Sequence, residues 1–141
     1  MGCDMHAHVE IKVKGQWHHY SFPQVRRDYN MFAALAGVRA EGEDVKPIAA
    51  DRGIPEDATF TTRFDYEVCW GGAAHSASWI SDRECLELEK RFPHVDVWTD
   101  IFKDLYLFGN NITTPLIYPS DAAREFAAGY EEARIVFWFD N

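Results

Sequence analysis

The sequence predicts a single α+β domain, in which three to four helices pack on a small, mainly antiparallel sheet. Residues 3–13 alternate between apolar and polar side chains, which is typical of a β-strand with one buried face. The β-branched and aromatic residues within 133–141 predict a C-terminal strand. Signals for helix starts and ends lie between these segments, so we expect an N-terminal hairpin, several helices and a final strand, in that order.

The first strand is predicted to have two unlike faces. One is apolar, and the other carries Asp4, His6, His8, Glu10 and Lys12. Lys14 and Gly15 are expected to form a two-residue turn, because glycine adopts positive φ at little cost, and residues 16–22 return as the second strand. This turn sets a register with Lys12 opposite Trp17, Glu10 opposite His19, Val9 opposite Tyr20 and His8 opposite Ser21.

Caps and breakers predict the elements that follow the hairpin. Asp28 and Gly37 are the expected N-cap and C-terminal residue of a short buried helix, and Ser81 with Glu84 forms a capping box. Residues 39–58 are rich in Gly, Pro and acidic residues and predict a long loop, a feature that is often functional. The remaining predictions are a short helix within 61–69, a loop of small residues over 70–79, and helices over 82–91, near 99–107 and from 119 to 129.

Charge and cysteine content disfavour several classes of protein. The net charge is −9, with 23 acidic and 14 basic residues, whereas proteins that grip long nucleic acids present a basic surface. Three cysteines without a C-x-x-C pair argue against a disulfide framework and favour the reducing cytoplasm. No run of about 18 apolar residues predicts a membrane span, so we expect no membrane partner. A small anionic ligand held by a local arginine pocket stays open, as does a homo-oligomer.

The polar residues of the first strand form the strongest candidate site. Side chains two residues apart on a strand point the same way, about 6.6 Å apart, so Asp4, His6 and His8 are predicted to converge on one divalent ion. His19 from the opposite strand is a further candidate ligand. Imidazole with carboxylate suits Zn²⁺, Mn²⁺, Fe²⁺ or Ni²⁺. The alternative is a solvated strand face.

A second candidate site lies among the small residues that precede the capping box. His75 is chemically suited to be a general base or a further metal ligand, Ser76 to bind phosphate, and Trp79 to stack on a base or a sugar. The alternative is a tight loop ahead of a helix. Arg26 and Arg52 are candidate anion clamps, because a guanidinium binds phosphate bidentately; surface ion pairs with the acidic residues are the alternative.

The opening M-G-C-D-M-H-A-H-V-E resembles that of a family of small bacterial and phage proteins that begin M-G-C-D-I-H. The likeness extends to the strand with Trp17 and Tyr20, to Y-N-M-F-A-A-L-A-G-V, to Arg52-Gly53-x-Pro55, to the His75-Ser76 segment with Trp79 and to the terminal V-F-W-F-D-N. The resemblance thus covers most of the chain. It implies a phage or mobile-element setting and no particular activity. Related proteins carry a second histidine at the position of Ala77, so a metal site built on that histidine would lack a ligand here.

These residues support one leading functional hypothesis and two alternatives. The first is a metal-dependent hydrolase of a small phosphorylated or nucleotide-like substrate, in which the bound ion activates water. Glu10 and His75 are the expected acid–base groups, and Arg26 or Arg52 would stabilise the developing negative charge. The second is a non-catalytic protein that binds or sequesters a small nucleotide or signalling molecule. The third is an accessory phage protein that contacts a partner chain.

Overall fold

A computed structural model describes residues 2–40, 45–93 and 130–141, and the predicted α+β class is confirmed. Within these residues one antiparallel sheet has the strand order β2-β1-β4-β3, and three helices accompany it. The strands are β1 (Asp4–Val13), β2 (Gln16–Ser21), β3 (His75–Ser81) and β4 (Glu132–Asp140). The helices are α1 (Tyr29–Ala36), α2 (Phe60–Phe64), which continues as a π-helical segment (Asp65–Trp70) and a 3₁₀ turn (Gly71–Ala73), and α3 (Asp82–Arg91).

The apolar face of the sheet packs against α1 and α3. The alternate residues of the first strand that were predicted to be apolar, from Cys3 to Val13, are all buried, and β4 adds Ala133, Ile135, Phe137 and Phe139. Phe32 of α1 and Leu88 of α3 belong to the same cluster. The rings of Phe32 and Phe139 meet edge to face, with centroids 5.1 Å apart. The period of two in the sequence therefore identifies the core face correctly.

The predicted caps of α1 and α3 are confirmed. The side chain of Asp28 accepts hydrogen bonds from the backbone N–H groups of Asn30 and Met31, and Gly37 ends α1 at φ 73°. Ser81 and Glu84 form the reciprocal capping box of α3. Caps depend on residues only a few positions apart, so the sequence is sufficient to predict them.

The hairpin register is confirmed near the turn and wrong further along. Lys12 pairs with Trp17 and Glu10 with His19, as predicted, but Val9 pairs with Ser21. The predictions of Val9 opposite Tyr20 and His8 opposite Ser21 are therefore wrong. Between the pairs Glu10–His19 and Val9–Ser21, β2 advances two residues while β1 advances one, which makes a β-bulge at Tyr20. Alternation with a period of two does not reveal a bulge, so the sequence did not predict it.

The predicted loop over 70–79 is wrong in its second half, because β3 starts at His75 and pairs with β4. Small residues have weak strand propensity, but the edge of β4 offers hydrogen bonds that override it. The pairing shifts register between His75 and Ser78, and Ser76 between them has a φ of 55°. The predicted helix within 61–69 is confirmed as α2 with its π-helical continuation.

Some predictions lie outside the described residues, namely the helices near 99–107 and from 119 to 129. In the ranges that the structure does describe, no helix is both long and apolar enough to cross a membrane. The described part of the predicted 39–58 loop contains neither helix nor strand.

Candidate functional site

The second face of the sheet, called here the polar face, carries Asp4, His6, His8, Glu10 and Lys12 of β1. The helix α2 and its π-helical continuation lie over this face: Thr62 contacts Glu10, Asp65 contacts His8, and Trp70 contacts His6. His8 and Glu10 are buried as a result. The solvated strand face that the sequence left open is therefore absent at these two positions.

Glu10 is the centre of a buried ion-pair network. Its fully buried carboxylate accepts hydrogen bonds from Nε of Arg134 at 2.8 Å, from the backbone N–H of Thr59 at 2.8 Å, and from the hydroxyls of Thr59 and Thr62 at 2.6 and 2.8 Å. Arg134 also donates to Asp57 at 2.8 Å. Glu10 thus ties the start of α2 to the centre of the sheet, and its role as a general base stays a prediction.

His8 stands between two polar partners. Its Nδ1 lies 2.8 Å from Nε2 of His19, and its Nε2 lies 2.7 Å from Oδ2 of Asp65. A carboxylate only accepts, so His8 donates from Nε2, and its Nδ1 accepts from Nε2 of His19. Burial lowers the pKa of His8 despite the opposing effect of Asp65, and burial with the proximity of His8 lowers the pKa of His19 to about 4. Both rings are therefore neutral at pH 7.

Charged partners hold the beginning of β1. Nε2 of His6 lies 2.8 Å from Oδ1 of Asp140, and its ring centroid lies 3.8 Å from that of Trp70. Asp4 accepts two hydrogen bonds from Arg27, at 2.9 and 3.0 Å, which lower the pKa of Asp4. Asp4 lies opposite Asp140 in the register of β1 with β4. Arg27 therefore stands at the same end of the sheet as the pair formed by His6 and Asp140.

The predicted metal ligands Asp4, His6, His8 and His19 do not all meet at one point. His8 and His19 contact each other, whereas Asp4 is engaged by Arg27 and His6 by Asp140. Across the three described stretches of chain, no group of three or more His, Cys, Asp or Glu side chains is arranged to hold a metal ion. A divalent ion bound by these residues stays a prediction.

His75 and Ser76 begin β3 beside the C-terminal end of β4. Nδ1 of His75 lies 3.0 Å from Oγ of Ser76, and its Nε2 is hydrogen-bonded to Oδ1 of Asn141. An amide oxygen only accepts, so Nε2 of His75 donates to it, and in the tautomer that carries its proton on Nε2 the free Nδ1 accepts from the hydroxyl of Ser76. The ring also stacks on Phe139, with centroids 6.2 Å apart. This is the protonation pattern that a general base requires.

The predicted anion-binding arginines have different surroundings. Arg52 donates to both carboxylate oxygens of Glu84, at 2.8 and 2.6 Å, and its guanidinium lies 4.9 Å from the ring of Trp79. It also donates to the backbone carbonyls of Ile48 and Trp79, so it joins a loop to β3 and α3. Arg26 is exposed. Substrate binding by Arg26 or Arg52 stays a prediction.

A cleft lies at the other end of the polar face, where residues of all four strands and the start of α3 enclose a volume of about 320 Å³. Its lining includes two indoles and three cationic side chains: Trp17, Trp79, Lys12, Arg83 and Arg134. The guanidinium of Arg134 lies 3.8 Å from the ring centroid of Trp17. Three carboxylates also line the cleft, so its cations are locally balanced.

Sequence patterns did not identify the residues that hold His6, His8 and His75. These residues are Asp65, Asp140 and Asn141. Asp140 and Asn141 could have been found from the sequence, because these two polar residues directly follow the apolar run 135–139. Antiparallel pairing of β4 beside β1 then brings them near Asp4. Asp65 had none, since only the path of the chain over the sheet brings it to His8.

Comparison of the chain with protein-family models, with curated proteins and with solved structures found no match. The family resemblance of the opening residues therefore stays a prediction.

Proposed function

We propose that the protein hydrolyses a small ester substrate at the end of the sheet where β3 begins, with His75 as the acid–base group. The observation that carries this proposal is the hydrogen-bonded order from Asn141 through His75 to Ser76. Because Asn141 fixes the proton on Nε2, Nδ1 is left to accept a proton from a hydroxyl or a water. The resulting imidazolium then returns that proton to the leaving group.

The surroundings of His75 support a phosphorylated or nucleotide-like substrate, as the sequence predicts. Arg27, which is paired with Asp4, stands at this end of the sheet with about half of its side chain exposed (49%), so it is the candidate group there for contact with an anionic substrate. His6 is hydrogen-bonded to Asp140, the residue before Asn141, and so adds a second imidazole at this end of the sheet. A local cation attracts an anionic substrate even against an unfavourable net charge.

The test is hydrolysis of p-nitrophenyl phosphate, bis-p-nitrophenyl phosphate, p-nitrophenyl acetate and a panel of nucleotides by the intact chain. We expect His75→Gln to lower kcat/KM by about 10²- to 10⁴-fold, the usual contribution of a general base. His18→Gln is the matched control, because His18 of β2 pairs with Ile11 of β1, away from this end of the sheet. Equal activity of His75→Gln and the wild type would contradict the proposal.

The metal dependence that the sequence predicts is tested in the same assay. Activity that EDTA abolishes and Zn²⁺ or Mn²⁺ restores would support it. Activity that survives EDTA would contradict the metal and leave the role of His75 intact.

A second candidate function is binding of a small nucleotide without turnover, and the cleft between Trp17 and Trp79 favours it. Its volume of about 320 Å³ is at the lower end of the range for small-molecule sites, and an indole offers a surface for a base. Lys12 and Arg83 line the same cleft and suit a phosphate. The residues of β4 that line the cleft, from Glu132 to Arg134, lie five or more positions from Phe139, which pairs with His75. The two candidate sites are therefore separate.

Calorimetric titration with nucleoside monophosphates tests the cleft. We expect Trp17→Ala to weaken binding by about 5- to 100-fold, since one stacked base contributes about 1–3 kcal/mol. Phe60→Ala removes an exposed aromatic ring outside the cleft and serves as the control. Unchanged affinity in Trp17→Ala, or an equal loss in both variants, would exclude the cleft.

A further inference from the structure

We propose that the hydroxyl of Ser76 is the nucleophile of this hydrolysis, so that the reaction passes through a covalent ester on the enzyme. This inference rests on the proposed function and adds to it a residue that the sequence assigned only to phosphate binding. It also makes the mechanism one of two chemical steps in place of a direct attack by water.

Hydrogen bonds place the hydroxyl of Ser76 next to an oriented imidazole. Oγ of Ser76 lies 3.0 Å from Nδ1 of His75, and Nε2 of His75 is held by Oδ1 of Asn141. Hydrolases of unrelated folds also place a nucleophile, an imidazole base and an orienting group in this order, with the hydroxyl at Nε2 and the orienting group at Nδ1; here the two ring nitrogens are exchanged. Here Asn141 orients the ring and selects its tautomer, and His75 faces the hydroxyl.

The backbone of Ser76 has an unusual conformation. Its φ of 55° lies in the left-handed region, which is uncommon for a residue other than glycine. It lies inside the register shift between His75 and Ser78, so no residue of β4 pairs directly with it. Backbone held in such a conformation clusters at functional sites, and a strained turn that presents a serine hydroxyl is a recurring device in hydrolases.

The segment that precedes His75 leaves open space for a substrate. Gly71 and Gly72 precede this segment, both are exposed, and a Cβ added at either would have no atom within 4 Å. His75 and Ser76 are only partly buried. The approach from the glycine side is therefore open in the part of the chain that the structure describes.

The chemistry of the two steps balances. In the first, Oγ of Ser76 bonds to the phosphorus or carbonyl carbon of the ester, its proton passes to Nδ1 of His75, and the bond to the leaving oxygen breaks. That oxygen takes the proton from His75. In the second, water gives a proton to His75 as its oxygen bonds to the phosphorus or carbonyl carbon of the seryl ester. The bond from that atom to Oγ of Ser76 then breaks, Oγ takes the proton from His75, and the acid product leaves. No oxidant, reductant or further reactant is required.

The experiment uses the intact chain and a fluorophosphonate probe, which phosphonylates activated serines. We expect one equivalent of label, located on residue 76 by peptide mass spectrometry. Ser76→Gly is the decisive variant, because glycine adopts positive φ freely and so preserves the fold while it removes the hydroxyl. Ser21→Ala, a serine of β2 outside this segment, is the matched control. Thermal denaturation verifies that both variants are folded.

Three outcomes decide between the inference and the proposed function. Loss of label, with a fall in hydrolysis of at least about 10²-fold in Ser76→Gly and none in Ser21→Ala, supports Ser76 as the nucleophile. If Ser76→Gly hydrolyses the substrate at the wild-type rate, Ser76 is not the nucleophile, and the proposed role of His75 is unaffected. A wild type that turns over no substrate of the panel overturns the proposed function and this inference together. Turnover of p-nitrophenyl acetate against p-nitrophenyl phosphate identifies the transferred group as acyl or phosphoryl.

Discussion

Replacing Glu10 with alanine is expected to lower the free energy of unfolding by about 3–5 kcal/mol, as when one partner of a buried ion pair is removed. The carboxylate is fully buried, and the side chain of its partner Arg134 is only 7% exposed. Without Glu10 that guanidinium keeps Asp57 as a charged partner, and the buried hydroxyl of Thr62 loses the carboxylate oxygen to which it donates. Urea denaturation at pH 7 measures the change.

The matched control for this prediction is Asp57→Ala. Asp57 binds the same guanidinium but is 65% exposed, so we expect a loss of less than about 1 kcal/mol. The double variant Glu10→Ala with Arg134→Met should recover part of the loss, because no charge is then left unpaired in the interior. A normal stability of Glu10→Ala with loss of hydrolysis would contradict the structural role and support the general base that the sequence predicts.

Acidification from pH 7 towards pH 4 is expected to destabilise the fold through His19 and His8. Burial, and for His19 also the nearby His8, lowers both pKa values below the ordinary value of 6.5, to about 4 for His19. In the unfolded chain these rings bind a proton as the pH falls below about 6.5, whereas the folded protein resists protonation. Their contribution is therefore fully present above pH 6.5 and is lost as the pH falls through the folded pKa.

The expected size for His19 is about 2 kcal/mol between pH 7 and pH 4, after allowance for the partial solvent exposure of its ring. Urea denaturation of the wild type and of His19→Gln at pH 7.0, 6.0, 5.0 and 4.5 is the measurement, and the pH dependence of the variant should be flatter. Asp4 and Glu84 act at lower pH, because hydrogen bonds from Arg27 and Arg52 lower their pKa values. Identical slopes in the two proteins would contradict the buried, neutral state of His19.

The composition of the polar face follows from the alternation in the first strand. That pattern places Asp4, His6, His8 and Glu10 on one face, and the turn at Lys14 and Gly15 brings His19 opposite Glu10. What it does not reveal is the state of those side chains. A strand with polar residues on one face predicts either a metal site or a solvated surface, whereas His8 and Glu10 are buried under a helix and its continuation and are engaged by partners elsewhere in the chain.

The sequence by itself determined the α+β class, the core face of β1, the turn of the hairpin and the caps of α1 and α3. Each of these depends on residues within about ten positions of one another, where periodicity and local hydrogen bonding are sufficient. Only the tertiary structure decided that β4 lies between β1 and β3, that β3 is a strand, and that Asp65, Asp140 and Asn141 hold the histidines. The physical reason is separation along the chain. Asp140 reaches His6 across 134 residues, and such a contact depends on how whole elements pack.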